Sequence, residues 1–526
     1  MRKGYMRKKF TLILLALVVV FASCQLSADW QSDLDRLLRT SDENEREELL
    51  VSILETDPPV DAVISFIKNL RFPERPGGQL IKNMNMCIDS VERPWVLYVP
   101  EQYDPNLPTP MIVILHGMVG RKNIIDDPVK YAEEHPILEH IAREAGWLAL
   151  FPFGQEGATW WDEVGMANIR DLVRTVKSEY NVDDNRVHLA GFSDGASGAY
   201  GLAMLDPTDF AAFVCLNGDP GVPNEDGGLH TYASNLNNVS IYAGFTNQDQ
   251  LYPTASMSPA VRLIQRAHAD LKFQAFEGEH DLAAYGPQDF EQMLGFMNNN
   301  KRQILSEFNW ETAEPEFGEF QWFAIDEISK GAPERWHTVL NTTMTDSSIS
   351  VGFIPDYSYE GVGVKVESVT EGETLANSIG LQSGDIIIGG NTMKIEDMGD
   401  LEEFKSQLHR GGGAVLAIDR NSEKFTVYGI LPPPERKPLF VYKKYSAMAR
   451  IKHRGNGIAI EGSRVGAFTI KVDPELLDLD MRIVVRLNLK KYQDDYIEPN
   501  LRYILENFLE NRDRKLLYVA EINVDV

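Results

Sequence analysis

The sequence predicts an α/β domain built on a mostly parallel sheet, followed by a mainly β region. Three observations predict that class. From Pro94 to about residue 300, short apolar runs such as WVLYVP (95–100) and MIVILHG (111–117) alternate with helical stretches, as in a sheet buried on both faces. Beyond residue 300 the texture changes to alternating polar and apolar residues, with FGEFQWFAI (317–325) reading as one half-exposed antiparallel strand. The composition, 43% hydrophobic and 25% charged over 526 residues with 40 Gly and 27 Pro, is that of a globular chain long enough for several domains.

Charge and cysteine content exclude other classes. With 51 Lys and Arg against 78 Asp and Glu, the formal charge is −27, so the average surface repels phosphate backbones and nucleic acid is not an expected partner. Three cysteines, with no CxxC and no Cys/His cluster at zinc-ligand spacing, indicate neither a disulfide framework nor a metal site. No cofactor is expected.

Residues 1–23 read as a signal peptide: Arg2, Lys3, Arg7, Lys8 and Lys9 precede an apolar run from Phe10 to Ala22. That run reaches only about 20 Å as a helix, short of a hydrocarbon core of about 30 Å. Its end, Phe21-Ala22-Ser23-Cys24, resembles a bacterial lipobox, with Phe21 where leucine is usual. The resemblance implies lipidation of Cys24 and a membrane-anchored lipoprotein facing the periplasm or cell surface; the alternative is ordinary cleavage nearby. Residues 24–75 carry helical periodicity at Leu34, Leu37 and Leu38, at Leu49, Leu50, Ile53 and Leu54, and again over 60–70. Residues 76–300 supply the α/β domain, with a helix near 168–180 and strands at 186–190, 210–216, 239–243 and 272–276. The run FAAFVCL (210–216) places Cys215 in a buried strand as a free thiol. Residues 301–345 and 438–526 read as β, as one split sandwich with a helix at 501–511, and residues 346–435 form a compact unit between them.

The sharpest local signal is RVHLAGFSDGASGAY (186–200), an apolar strand running through Gly191-Phe192-Ser193-Asp194-Gly195 into a helix of small residues. A bare GxSxG is weak evidence. Its placement between strand and helix fits a nucleophile elbow, where only small residues two before and two after the serine avoid a clash. A serine hydroxyl needs a base to take its proton and a carboxylate to orient that base. After the strand at 239–243 comes Asp249, the candidate acid, with Asp219 and Asp226 as competitors and a plain Asx turn as the simpler role; Asn247 cannot hold a charge. After the strand at 272–276, Glu277-Gly-Glu-His280-Asp281 places His280 as the candidate base, or else a surface loop histidine. Upstream, Ile112–Leu115 runs into His116-Gly117-Met118-Val119-Gly120. The N–H groups of Met118 and of Asp194 are the candidate oxyanion donors, and His116 shapes the turn. Trp160-Trp161-Asp162 either lines a substrate cleft or packs in the core.

Together LHGMVG, AGFSDGASG, the Asp249 loop and GEHD resemble the α/β-hydrolase superfamily, and residues 168–198 look like poly(3-hydroxybutyrate) depolymerases and feruloyl or acetylxylan esterases. The resemblance covers about residues 85–300. It implies an α/β-hydrolase domain, a metal-free serine hydrolase and an acyl-enzyme formed on carboxylic esters, polyester or carbohydrate-linked. The acid loop is longer than the common GxxD form, and Met118 stands where the depolymerases often have cysteine. Residues 350–430 resemble a bacterial-type PDZ domain, with Val351-Gly352-Phe353-Ile354 as the carboxylate-binding loop and Gly380-Leu-Gln-Ser-Gly384-Asp385 as the usual turn. That resemblance implies a C-terminal peptide as partner. A serine peptidase with the same triad, and an inert binding scaffold, are the rival readings.

Overall fold

Strands whose every residue is apolar or small need cover on both faces, and three such strands sit at the centre of the first body. The computed structural model describes residues 29–119, 126–346, 351–372 and 374–526; the signal-peptide and Cys24 assignments lie outside them. Eight strands, β1 (Gln79–Met86), β2 (Glu92–Val99), β3 (Thr109–Leu115), β4 (Leu148–Pro152), β5 (Val182–Phe192), β6 (Ala212–Leu216), β7 (Ser240–Thr246) and β8 (Asp270–Phe276), form one sheet in the order 1-2-4-3-5-6-7-8. β1 and β2 run antiparallel to their neighbours, and β3 through β8 are parallel. β3, β4 and β6 are buried along their whole length, whereas the edge strands β1 and β8 alternate with exposed residues. One face packs Val113, Leu115 and Leu189 against the helices Glu163–Glu179, Asp194–Leu205 and Thr254–Arg266. The other packs Ile112, Ile114 and Ala190 against the helix Pro287–Asn299. This is a mostly parallel sheet covered by helices on both faces, and it brings the ends of β3, β5, β7 and β8 to one edge.

The second body is β. A five-stranded sheet (in order Lys490–Asp495, Ile483–Leu487, Gly457–Ser463, Ala447–Arg454, Glu307–Thr312) and a four-stranded sheet (Glu319–Phe320, Phe323–Ile328, Val465–Val472, Ala520–Asp525) share one core around Trp310, Trp322, Phe323 and Phe468. The helices Trp30–Arg39, Glu43–Thr56 and Val60–Lys68 put Leu34, Leu37, Ile53 and Ile67 into that same core. The run at 317–325 differs from the expected single strand. Gln321 takes φ 49° and folds the run into a tight hairpin, in which Gln321 Nε2 and Trp322 Nε1 donate to the carbonyls of Gln303 and Leu305 at 2.9 and 2.8 Å. Alternating burial cannot distinguish such a turn from a strand.

Between residues 351 and 430 a small sheet runs Phe353–Pro355, Val364–Val369, Ile386–Gly390, Gly413–Arg420, Glu423–Ile430. It is carried on a two-stranded stem, Thr343–Asp346 against Glu435–Pro438. Met344 and Leu439 of the stem region are buried with the α/β core, and Asn224 exchanges hydrogen bonds with the backbone of Val441 at 2.6 and 3.1 Å.

Candidate active site

β5 ends at Phe192, and the chain turns at once into the helix Asp194–Leu205. Ser193 sits on that turn at φ 58° and ψ −122°, a conformation that costs on the order of 1–3 kcal/mol for a side chain other than glycine. The two flanking glycines make it possible. A Cβ on Gly191 would lie 2.1 Å from the Gly195 carbonyl oxygen, and one on Gly195 2.0 Å from that of Leu115. The turn therefore lifts Ser193 Oγ off the end of the sheet.

Two other strand ends supply the groups that meet it. His280 Nε2 lies 2.8 Å from Ser193 Oγ, and its Nδ1 lies 2.7 Å from Asp249 Oδ2. An ionised carboxylate can only accept, so Nδ1 carries the proton toward Asp249 and Nε2 is left to accept from the serine hydroxyl. Burial pushes the Asp249 carboxyl up, but hydrogen bonds from His280, Asn217 and the Tyr252 N–H outweigh it and hold it below its ordinary value. Its second oxygen accepts from the N–H groups of Leu251 and Tyr252 at 2.7 and 2.8 Å. The rings of Phe192 and Tyr252 flank the imidazole at 4.9 and 5.9 Å between centroids.

The competing carboxylates stand elsewhere. Asp219 accepts from Gly221 N–H at 2.7 Å within its own turn, and it is Asp249 that His280 Nδ1 faces. Asn247 donates to Glu277 at 2.7 Å, and Asp281 caps the turn at 282–284.

The loop after β3 closes on the elbow from the other side. A Cβ on Gly117 would lie 3.0 Å from Ser193 Cβ. Met118 takes φ 58°, and the next N–H, of Val119, donates to Asp194 Oδ2 at 3.0 Å. The Asp194 carboxylate thus ties down the segment that carries the Met118 N–H, while its own N–H opens a helix whose first-turn donors have no intrahelical acceptor. His116 is buried, donates from Nδ1 to the Gly117 carbonyl at 2.6 Å, and is pushed down by burial to about 4. It stays neutral and holds the turn. Trp160 and Trp161 are core residues rather than a cleft lining: Trp160 is 1% exposed and donates to the His116 carbonyl at 2.8 Å. Asp162 caps the helix Glu163–Glu179.

Sequence reasoning missed a buried relay behind the acid. Asn217 Nδ2 donates to Asp249 Oδ2 at 2.5 Å and to Thr246 Oγ1 at 2.6 Å, and its amide oxygen accepts from the Tyr285 hydroxyl. Asn217 lies at the end of β6 at φ 51°; within LNGDPG it has the look of any turn asparagine, and only its strand-end position was a signal. In the small sheet, Val351 is buried, Gly352 takes φ 90°, Phe353 is half-buried and Ile354 is exposed. Cys87 and Cys215 are buried free thiols.

No protein-family model matches the chain. Over 125 residues it is 30% identical to a bifunctional acetylxylan esterase/xylanase of Neocallimastix patriciarum, an alignment covering 23% of this chain and 17% of that protein. The chain thus matches well under two thirds of that curated relative's length. Among solved structures it is similar to a thermostable esterase (19% identity, TM-score 0.35, 42% of this chain and 63% of that one). A fluorophosphonate-binding serine hydrolase of Staphylococcus aureus is also similar (16% identity, TM-score 0.34, 42% and 99%).

Proposed function

We propose that the chain is a serine hydrolase that cleaves carboxylic esters through an acyl-enzyme. The observation that carries this reading is the unbroken chain of short contacts from Ser193 Oγ through His280 to Asp249. As the Ser193 oxygen attacks an ester carbonyl, His280 Nε2 takes its proton, and Asp249 holds the imidazole in the required tautomer and stabilises its charged form. The N–H groups of Met118 and Asp194 meet the oxyanion; losing one such donor costs about 3–4 kcal/mol. The imidazolium then returns the proton to the departing alcohol, and water repeats the sequence on the acyl-serine. The local identity to an acetylxylan esterase favours esters of carbohydrate polymers over polyester.

The reading extends to the rest of the chain. Residues 346–435 act as a PDZ domain whose outer strand Phe353–Pro355, paired among the described residues only with Val364–Val369, accepts an extended peptide as a further strand with its carboxylate at Val351–Ile354. Residues 1–23 export the protein and lipidated Cys24 holds it at a membrane. Turnover measured on p-nitrophenyl acetate, acetylated xylan, feruloylated oligosaccharide, polyhydroxybutyrate and peptide tests the central reading. Ester cleavage that Ser193→Ala lowers by about 10³-fold or more supports it. Equal turnover by the variant, or cleavage of peptides alone, contradicts it.

A further inference from the structure

A cleft of about 800 Å3 lies away from Ser193, on the outer face of the five-stranded sheet where that sheet meets the α/β domain. It is within the range of about 300–1,000 Å3 typical of ligand sites, which favour domain seams. The floor follows from strand register. Lys452, Ala459 and Arg486 lie side by side on three adjacent strands, and the small Ala459 leaves a trough between two long cations. One wall is Trp336, with the Arg450 guanidinium 4.2 Å over its ring. The opposite wall is a turn in which Asn488 and Leu489 both take positive φ, lifting Leu489 to 94% exposure. Asn237 of the α/β domain closes the end and donates to Asn309 at 3.2 Å.

The wall is fixed in place by a buried polar cluster that the hydrolytic chemistry does not use. His337, next to Trp336, lies 3.0 Å from Glu311 Oε1 and 2.9 Å from Ser463 Oγ. Glu311 also accepts from Ser446 and Ser234 at 2.8 and 2.6 Å, the latter from the α/β domain. A preorganised aromatic wall keeps the ordering cost of binding low.

We propose that this cleft binds a neutral oligosaccharide segment of a polymer. Its lining carries three acidic and three basic side chains, so in a strongly acidic protein it selects no net charge. Those side chains present both donors and acceptors suited to dense hydroxyls, beside one indole and one leucine for the apolar faces of sugar rings. The Arg486 guanidinium has no hydrogen-bonding partner among the described residues. An extended peptide has nothing to pair with, because the floor is the face of strands already paired on both sides. Asn237 precedes β7 and Asp249 follows it, so a strand length of roughly 20 Å separates the cleft from the catalytic edge. The cleft therefore anchors a chain whose distant ester enters the active site. This deepens the ester-hydrolase reading, on which the role of that polymer as substrate rests.

Affinity electrophoresis of the full chain in gels containing arabinoxylan, glucomannan or mixed-linkage glucan tests it. At least one of these polymers is expected to retard the protein. Trp336→Ala and, as a variant on an exposed strand position, Arg486→Ala should each weaken retardation about tenfold, with p-nitrophenyl acetate turnover unchanged. No retardation by any of the three, or retardation that both variants keep, overturns the proposal. Retardation by a protein inactive on every ester would leave the cleft standing and remove the esterase reading.

Discussion

At the scale of single residues, the proposed acid of the site is tightly constrained. Asp249 is 2% exposed and gathers donors from His280, Asn217 and two backbone N–H groups. Asn217 does more than fill space: its amide fixes one carboxylate oxygen, and Tyr285, whose phenol burial pushes up, fixes the amide in turn. A hydrogen bond to a charged group is worth about 1.5–3 kcal/mol. If that energy serves to orient the acid, Asn217→Ala should lower kcat by about ten- to a hundredfold while leaving KM and the circular dichroism spectrum in place. A fall in KM-governed binding with kcat intact would assign Asn217 to substrate instead. The convergence of Ser193, Asp249 and His280 was legible because each follows its own strand and the proposed acid–base chemistry restricts which residue types can serve. Asn217 and Tyr285 were not, because any polar residue at a strand end reads the same way in one sequence.

At the scale of elements, the elbow is where local sequence and tertiary packing coincide. β5 and the following helix approach so closely that residues 191 and 195 must lack a Cβ. Gly191→Ala cannot be accommodated by a side-chain shift, since the obstacle is the Gly195 carbonyl. It should either abolish soluble expression or yield a folded protein that has lost the positive φ of Ser193 and its turnover; wild-type activity in this variant would contradict the geometry described. The strands of the α/β domain were readable as apolar runs because both faces are covered. The hairpin at 317–325 was not, since nothing in FGEFQWFAI announces a left-handed Gln321. Trp160 was ambiguous for a related reason: an indole looks the same in sequence whether it faces a cleft or sits beneath Gly154 and Gly198.

At the scale of the whole molecule, the bodies are joined by buried charge. Lys177 meets Asp513 and Arg514 meets Asp184 across the two bodies, and Asp209 and Arg302, each paired within its own body to Lys177 and Asp513, complete the cluster, all within 3.1 Å. Lys177–Asp513, Arg302–Asp513 and Arg514–Asp184 join residues more than 200 positions apart, which is why no local pattern foretold them. Acid sensitivity has a separate source. Burial holds His116 down at about 4 and His135 and His188 at about 3, whereas in the unfolded chain a histidine takes up its proton near 6.5. The unfolded state therefore binds more protons as pH falls from about 6.5 toward 4, and stability drops across that window. Thermal melts between pH 7 and 4.5 should show a falling Tm that a triple replacement of these histidines by residues without a titrating group makes shallower; a slope unchanged by the replacement would contradict this origin.

The central claim, a hydroxyl at residue 193 activated by the imidazole of residue 280, is tested most directly by labelling the folded full chain with a fluorophosphonate and mapping the adduct by mass spectrometry. The account predicts one adduct on Ser193, formed about 10³-fold or more slowly in His280→Ala. An unlabelled Ser193 in folded protein, or equal labelling rates with and without the imidazole, would contradict it.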